Sequence, residues 1–121
     1  MKKTPLYDLH IEYGAKLVDF AGFLMPIHYD GVSVEHNCVK NNVGVFDVSH
    51  MGEFLISGKK SESFLQSVLS NDISILRPGQ AQYNCMPNEK GGIVDDLILY
   101  KLDVNKFMLV VNASNIGKNI D

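Results

Sequence analysis

The stretch NEKGGIVDDLILY, residues 88–100, decides the fold because it joins a tight turn to a long strand. Gly91 and Gly92 indicate a hairpin, since no glycine pattern typical of a phosphate-binding loop surrounds them. The strand that follows is mostly apolar, yet it holds two adjacent carboxylates, Asp95 and Asp96. Aspartate is depleted in strands because its short side chain competes for backbone hydrogen bonds, so this pair needs partners to hold it in place.

The two aspartates are expected to lie on opposite faces of the strand, because successive strand residues alternate between the faces. One face carries Ile93, Asp95, Leu97 and Leu99, and the other carries Val94, Asp96, Ile98 and Tyr100. Both faces are apolar. Whichever face is buried therefore sets one carboxylate among hydrophobic neighbours, where a charge without partners is costly.

Two interpretations of the pair remain open. In the first, one aspartate is solvated and the other caps a turn or accepts backbone N–H groups. In the second, a carboxylate lies at the bottom of a mostly apolar pocket and accepts a hydrogen bond from a ligand nitrogen. Tyr83 and Tyr100 on neighbouring predicted strands offer flat aromatic surface, and Asn112 offers an amide. These neighbours favour the second interpretation, with a planar heterocycle as the ligand.

The rest of the chain predicts a mixture of helices and strands. Thr4 as N-cap and Pro5 at the first helical position predict a helix over 5–13. A strand is expected to begin near Val45, and residues 113–121 have the pattern of a helix start in which Ile116 and Ile120 stack. The other predicted elements are strands at 16–20, 52–57, 81–86, 93–101 and 106–112, an extended segment at 27–29, and helices near 34–39 and 61–69.

The order of these elements predicts an α+β fold, in which helices pack on an antiparallel sheet of hairpin-linked strands. Residues 1–50 are expected to form a helix and strand segment of a first domain that further sequence completes. Residues 51–121 are expected to form a β-α-β-β-β subdomain. The predicted last helix has no C-terminal cap, which favours a fragment of a longer protein.

The composition is that of an ordinary globular domain, with 45% hydrophobic and 21% charged residues among 121. The net charge is −3 and the basic residues are scattered, which argues against nucleic acid as a partner. No secretory signal and no apolar run of about 18 residues is present, so no membrane contact is expected. Cys38 and Cys85 are predicted to be free thiols in a reducing cytosol or organelle matrix, with a disulfide between them as the less favoured alternative. The lack of a transit peptide favours the cytoplasm.

Other kinds of chemistry receive little support from the sequence. The four histidines show neither HExxH nor i, i+4 pairing, so no metal site is expected. Ser49 and His50 are adjacent, so their side chains point apart in a strand. This spacing argues against a serine nucleophile activated by that histidine.

Five segments carry a family resemblance. They are TPLY at 4–7, GAKLVDFAG at 14–22, GVFDVSHMGEF at 44–54, GGIVDDLI at 91–98 and VVNA at 110–113. In order and spacing they resemble the N-terminal portion of the aminomethyltransferases, the T-proteins of the glycine cleavage system. The resemblance covers essentially the whole chain but only about the first third of a family member. Phe23 departs from the family, whose members usually carry Trp at that position.

This resemblance implies the N-terminal part of the folate-binding aminomethyltransferase fold. Such an enzyme takes an aminomethyl group from the lipoyl arm of the lipoylated H-protein, passes the one-carbon unit to tetrahydrofolate and releases ammonia. The DDL motif implies that Asp96 lies in the folate cavity as the catalytic residue, while Asp95 faces away. The residues implied to line the cavity are Met51, Leu55, Tyr83, Asp96, Ile98, Tyr100, Val110 and Asn112. For Leu55, Ile98 and Val110, plain core packing is an open alternative.

Two other functions stay open beside the aminomethyltransferase. A tetrahydrofolate-dependent demethylase of the same fold would share this folate half and differ in its donor site. A non-catalytic folate-binding accessory protein would keep the cavity without transfer activity. The isolated chain is expected to be inactive, because later sequence completes the cavity, and to expose apolar surface that favours self-association.

Overall fold

A computed structural model describes residues 1–120 of the chain. It contains two compact units, one spanning Met1–His50 and the other beginning at Met51. Each unit has a β-sheet of its own.

The first unit is a three-stranded sheet with two helices. Its elements are β1 (Lys2–Lys3), α1 (Tyr7–Glu12), β2 (Lys16–Phe20), β3 (Phe23–His28) and α2 (Val32–Asn41). The sheet order is β1-β3-β2, in which β2 and β3 form an antiparallel hairpin and β1 runs parallel to β3. The hairpin turns at Ala21 and Gly22, with φ values of 52° and 81°. Two successive residues with positive φ match the twist of the flanking strands.

Three expectations for this unit are corrected by the structure. Helix α1 begins at Tyr7 rather than Pro5, and the Thr4 side chain does not cap it because its hydroxyl donates to Asp47 Oδ2 at 2.7 Å. The predicted strand near Val45 is wrong, since residues 43–48 form neither helix nor strand and Val45 is 97% exposed. Strand β3 begins at Phe23, well before the extended segment expected at 27–29, because the hairpin turn occupies only two residues.

The second unit is a four-stranded sheet with one α-helix. Its elements are β4 (Gly52–Ser57), α3 (Ser61–Val68), β5 (Ala81–Pro87), β6 (Ile93–Asp103) and β7 (Lys106–Val111), with short 3₁₀ helices at Ile73–Ile75 and Ala113–Asn115. The sheet order is β4-β7-β6-β5, and every neighbouring pair is antiparallel. The helix and the four strands predicted for this part of the chain are therefore confirmed.

One face of the second sheet forms the core of its unit. The side chains that pack there come from β6 and β7 on the sheet side and from α3 and the segment after it on the other side: Leu97, Leu99, Phe107, Leu109 and Val111 against Leu65, Leu69, Ile73 and Leu76. Alternation along β6 places Asp95 on the same face as Leu97 and Leu99. Asp95 is accordingly buried, with 3% of its surface exposed.

The segment after β7 differs from the helix start expected there. Ala113–Asn115 forms one 3₁₀ turn, and residues 116–120 continue as turns. Ile116 packs against the core while Ile120 is 67% exposed, so the two side chains have different environments. The side chains of Asn115 and Asn119 both donate to Asp95, which favours this local arrangement over a regular helix. Asp121, the last residue of the predicted helix, lies outside the described residues.

Candidate functional site

The second sheet has a solvent-exposed face opposite its core, which we call the open face. It carries side chains from all four strands: Leu55 from β4, Tyr83 from β5, Asp96, Ile98 and Tyr100 from β6, and Met108 and Val110 from β7. Leu55, Tyr83 and Ile98 are 66%, 58% and 40% exposed. A contiguous exposed apolar surface of this kind is typical of a site that contacts a ligand or another protein surface.

Strand register sets the apolar side chains of the open face in two rows. The first row is Tyr83, Ile98 and Val110, and the second is Tyr100, Met108 and Leu55. Directly opposed residues in antiparallel strands have Cβ atoms about 5 Å apart. The rows therefore form one continuous surface with a tyrosine ring in each.

Asp96 lies on the same face, next to the first row. Its carboxylate accepts a hydrogen bond from the Tyr83 hydroxyl at 3.1 Å and another from Asn112 Nδ2 at 2.9 Å. The residue is exposed. An ionised carboxylate can accept about four hydrogen bonds, so these two contacts orient the group and leave capacity for a ligand.

The Tyr83 hydroxyl is held as a hydrogen-bond donor. Its hydrogen bond to Asp96, with smaller contributions from burial and from the Asp96 charge, raises the pKa of Tyr83 to about 12. The phenol therefore stays protonated at neutral pH and keeps donating to the carboxylate.

Asp95 has the opposite environment, although it is the next residue along the chain. Its oxygens accept four hydrogen bonds, from the Asn112 backbone N–H at 3.1 Å and from the Nδ2 groups of Asn112, Asn115 and Asn119 at 2.8 Å each. Burial by itself raises the pKa of Asp95, but these hydrogen bonds outweigh it and hold the pKa below its ordinary value. The first interpretation of the aspartate pair, a carboxylate satisfied by the protein, thus describes Asp95.

The structure brings most of the predicted folate-site residues together. Six lie on the open face, namely Leu55, Tyr83, Asp96, Ile98, Tyr100 and Val110. Asn112 directly follows β7 and contacts Asp96, and Met51 directly precedes β4 and is half-buried. Asp96 lies on an exposed face and not at the bottom of an enclosed pocket, which differs from the second interpretation of the pair.

Met108 is a member of the open face that sequence reasoning missed. It lies between Leu55 and Tyr100 in the register. The signal was present in β7, because Met108 and Val110 are two residues apart and so share a face.

A polar cluster in the first unit was also not anticipated. His10 is 5% exposed, and its ring nitrogens contact the Tyr29 hydroxyl at 2.7 Å and Asp47 Oδ2 at 2.8 Å. The Thr4 hydroxyl and the Ser49 backbone N–H donate to the same carboxylate at 2.7 Å and 2.9 Å. The cluster joins residues that are far apart in sequence, so no local pattern could have revealed it.

Electrostatics in this cluster favour an ionised Asp47. Burial opposes ionisation, but hydrogen bonds from His10, Ser49 and Thr4 outweigh it and hold the pKa of Asp47 well below its ordinary range. Burial, with the nearby charges of Asp47 and Glu35, raises the pKa of Tyr29. The cluster therefore combines a fixed anion with a protonated phenol, and it anchors the segment that was expected to be a strand near Val45.

Within residues 1–120, no group of three or more His, Cys, Asp or Glu side chains is arranged to hold a metal ion. No helix in the same range has the length and apolar character needed to cross a membrane.

An antiparallel sheet with one face packed on helices and the other face open, apolar and marked by an oriented carboxylate defines an α+β protein with a surface suited to a ligand. The chain belongs to the family of the GCVT N-terminal domain, whose model matches residues 6–121.

Relatives of known identity agree with this assignment. The chain is 53% identical over 120 residues to an aminomethyltransferase from Thermus thermophilus, and 57% identical over 119 residues to one from Flavobacterium psychrophilum. These alignments cover 99% and 98% of this chain but 34% and 33% of the relatives. The chain therefore spans about a third of the length of the curated relatives that it matches.

A solved structure shows the same fold. The crystal structure of glycine cleavage system aminomethyltransferase T from Bartonella henselae matches with a TM-score of 0.89 and 41% identity, over 98% of this chain and 33% of that one. The predicted α+β fold and the predicted resemblance to the N-terminal portion of an aminomethyltransferase are both confirmed.

Proposed function

We propose that this chain is the tetrahydrofolate-contacting part of an aminomethyltransferase of the glycine cleavage system. The whole protein then transfers the one-carbon unit from the aminomethyl group on the lipoylated H-protein to tetrahydrofolate and releases ammonia. The observation that carries the proposal is identity above 50%, over nearly the whole chain, to relatives named aminomethyltransferase. That name favours aminomethyl transfer over a demethylase or an accessory protein.

The open face has the chemistry that a reduced folate needs. A pterin ring is flat and carries N–H donors, so it suits an apolar surface with aromatic rings and an accessible carboxylate acceptor. Tyr83 and Tyr100 supply the aromatic surface, and Asp96 supplies the acceptor. When bound, tetrahydrofolate supplies the nitrogens that take up the one-carbon unit.

Asp96 is the residue to which we assign the catalytic role. Two donors hold its carboxylate in one orientation, so little reorganisation is needed when a ligand N–H approaches. A fixed negative charge at this position stabilises positive charge that develops near it, which is the usual form of electrostatic catalysis. The carboxylate can also accept a proton from a neighbouring nitrogen.

The remaining site residues are assigned to binding. Leu55, Ile98 and Val110 offer aliphatic contacts to a ring system and exclude water from it. Asn112 contributes a polar contact beside Asp96, and Met51 lies at the start of β4. The exposure of Leu55 and Ile98 supports contact with a ligand rather than plain core packing.

The partner and the compartment follow from the same proposal. An aminomethyltransferase of this system receives its substrate on the lipoylated H-protein, so we assign that protein as the partner. Cys38 and Cys85 are both free thiols, which supports a reducing compartment such as the cytoplasm.

The test of the catalytic role is an Asp96→Asn substitution in the full-length protein, assayed with aminomethylated H-protein and tetrahydrofolate. The variant keeps the shape of the side chain and removes its charge, so we expect kcat to fall on the order of 100-fold or more. Glu53→Gln is the matched control, because Glu53 is a second exposed carboxylate of the open face, opposite Val110 on the edge strand β4, and it makes no hydrogen bond to Asp96 or Asn112. Wild-type turnover by the Asp96 variant would remove Asp96 from the chemistry.

A further inference from the structure

The side chain of Asn112 connects the two aspartates across the sheet. Its Nδ2 group lies 2.8 Å from Asp95 Oδ1 and 2.9 Å from Asp96 Oδ1, and it also contacts the Asp96 backbone oxygen at 2.9 Å. Two N–H groups serve these three acceptors, so the amide nitrogen is committed to the aspartates. The orientation of the Asn112 amide is fixed as a result. In the flipped orientation its oxygen would face the three acceptor oxygens of the aspartates, to which it cannot donate.

Of the two aspartates that Asn112 links, Asp95 is held more firmly by the surrounding protein. It is 3% exposed and lies on the core face of β6, so it cannot touch a ligand on the open face. It is also held by Asn115 and Asn119 at 2.8 Å each. A buried charged acceptor makes stronger hydrogen bonds than a solvated one, so Asp95 determines where the Asn112 amide lies.

A consequence for ligand recognition follows from this orientation. Because the nitrogen of Asn112 is committed to the aspartates, the atom left for a ligand is Oδ1, which accepts no hydrogen bond from the described residues. Asn112 and Asp96 would then both present acceptors, and the ligand edge that meets them must be rich in N–H donors.

We propose that Asp95 is a positioning residue, which holds the Asp96 carboxylate in its working orientation through the Asn112 side chain. This inference rests on the proposed function for its catalytic readout. Asp95 never contacts the substrate, and its effect on the reaction passes through Asp96.

A double-mutant cycle in the full-length protein separates this role from a merely structural one. Asp95→Asn is made in the wild-type and in the Asp96→Asn background, and turnover with tetrahydrofolate and aminomethylated H-protein is measured for all four proteins. We expect Asp95→Asn to lower kcat on the order of 10-fold to 100-fold in the wild-type background, because a misplaced catalytic group costs about that much. In the Asp96→Asn background we expect no further loss, because the group being positioned is already gone.

The matched control is Lys101→Met. Lys101 lies on the same face of β6, is 8% exposed, and pairs with Glu62 at 2.7 Å, far along the strand from Asp96. Loss of the Lys101 charge weakens the second unit but leaves the hydrogen bonds between Asp95, Asn112 and Asp96 in place. Lys101→Met should therefore change kcat by the same factor in the wild-type and the Asp96→Asn backgrounds. If Asp95→Asn behaves like this control, the positioning role is wrong.

A crystal structure of the Asp95 variant provides a readout that does not depend on activity. We expect the Asn112 Nδ2 to leave Asp96 Oδ1, with the two atoms more than 3.5 Å apart and no longer hydrogen-bonded. An unchanged separation of 2.9 Å would overturn the inference. Asp95→Ser replaces Asp95→Asn in both experiments if the first variant does not fold. A wild-type protein without tetrahydrofolate-dependent turnover would refute the proposed function. The crystal structure of the variant would still show whether Asp95 holds the Asn112 side chain against Asp96.

Discussion

At the scale of single residues, Asp95 and Asp96 show how alternation on one strand gives two identical side chains different tasks. Asp95 is buried and satisfied by four hydrogen bonds, and Asp96 is exposed with two. A buried carboxylate with this many donors stabilises the fold, whereas an exposed one with spare acceptor capacity is available to a ligand. Strand position decides which of the two carboxylates is buried and which is exposed.

Asp95→Asn should destabilise the second unit in a pH-dependent manner. At pH 7 we expect the free energy of unfolding to fall by about 2 to 3 kcal/mol, since the variant weakens charge-assisted hydrogen bonds from three half-buried asparagine amides to a buried carboxylate. The pKa of Asp95 is lowered in the folded state, so its contribution is present above the unfolded pKa of about 4 and is lost as the pH falls through the folded pKa.

Urea unfolding of the wild type and the variant at pH 7 and in increasingly acidic buffer measures this difference. The gap between the two proteins should narrow as the pH drops below about 4. Asp72→Asn is the control, because Asp72 is exposed and its carboxylate accepts hydrogen bonds from the backbone N–H and hydroxyl of Ser74, close by in sequence. A gap of constant size at every pH would show that the Asp95 charge is not what stabilises the unit.

At the scale of elements, the close contact between β4, β7 and the segment after β7 depends on a glycine. Gly52 is buried, and a Cβ at that position would lie 2.7 Å from Ile116 Cγ1 and 2.8 Å from Val111 Cγ2. Both neighbours belong to the packed side of the sheet, so neither can move freely. We expect Gly52→Ala to lower the free energy of unfolding by about 1 to 3 kcal/mol, the usual cost of overpacking a core.

Gly117→Ala is the matched control for that substitution. A Cβ at Gly117 meets nothing within 4 Å, and the residue does not have a positive φ. Thermal unfolding of both variants should therefore show a clear loss for Gly52→Ala and almost none for Gly117→Ala. Equal melting temperatures would mean that the packing around Gly52 is looser than the structure shows.

The sequence predicted elements well wherever hydrophobic periodicity dominates. Strand β6 was expected over 93–101 and runs over Ile93–Asp103, because its alternation matches a sheet with one buried face. The prediction of a strand near Val45 was wrong, because an apolar segment forms a strand only where a neighbouring strand is available to pair with it. The prediction that Thr4 caps the first helix was wrong for a related reason, since the Thr4 hydroxyl donates instead to Asp47, a residue far away in sequence.

The candidate site could be predicted only in part from the sequence. Alternation along β6 groups Ile98 and Tyr100 with Asp96, whereas Leu55 and Val110 on other strands were implied only by the family resemblance. The bridge through Asn112 and the donors from Asn115 and Asn119 could not, because they depend on the path of the chain after β7. Hydrogen bonds between distant side chains leave no periodic signal.

At the scale of the whole molecule, both units expose large apolar side chains. In the first unit these include Val45, Phe46 and Val43, and in the second they include Leu55 and Tyr83. Extended apolar surface on a small protein indicates contact with another surface or a ligand. We propose that the open face of the second unit is one such surface and that tetrahydrofolate binds there through Asp96.

This binding is tested by calorimetric titration of tetrahydrofolate into the full-length protein, with Asp96→Asn and Glu53→Gln measured alongside. Loss of a charged hydrogen-bond acceptor should weaken binding by about 10-fold or more for the Asp96 variant. The Glu53 variant should bind like the wild type. Equal affinities for the wild type and the Asp96 variant would show that tetrahydrofolate binds without the Asp96 carboxylate.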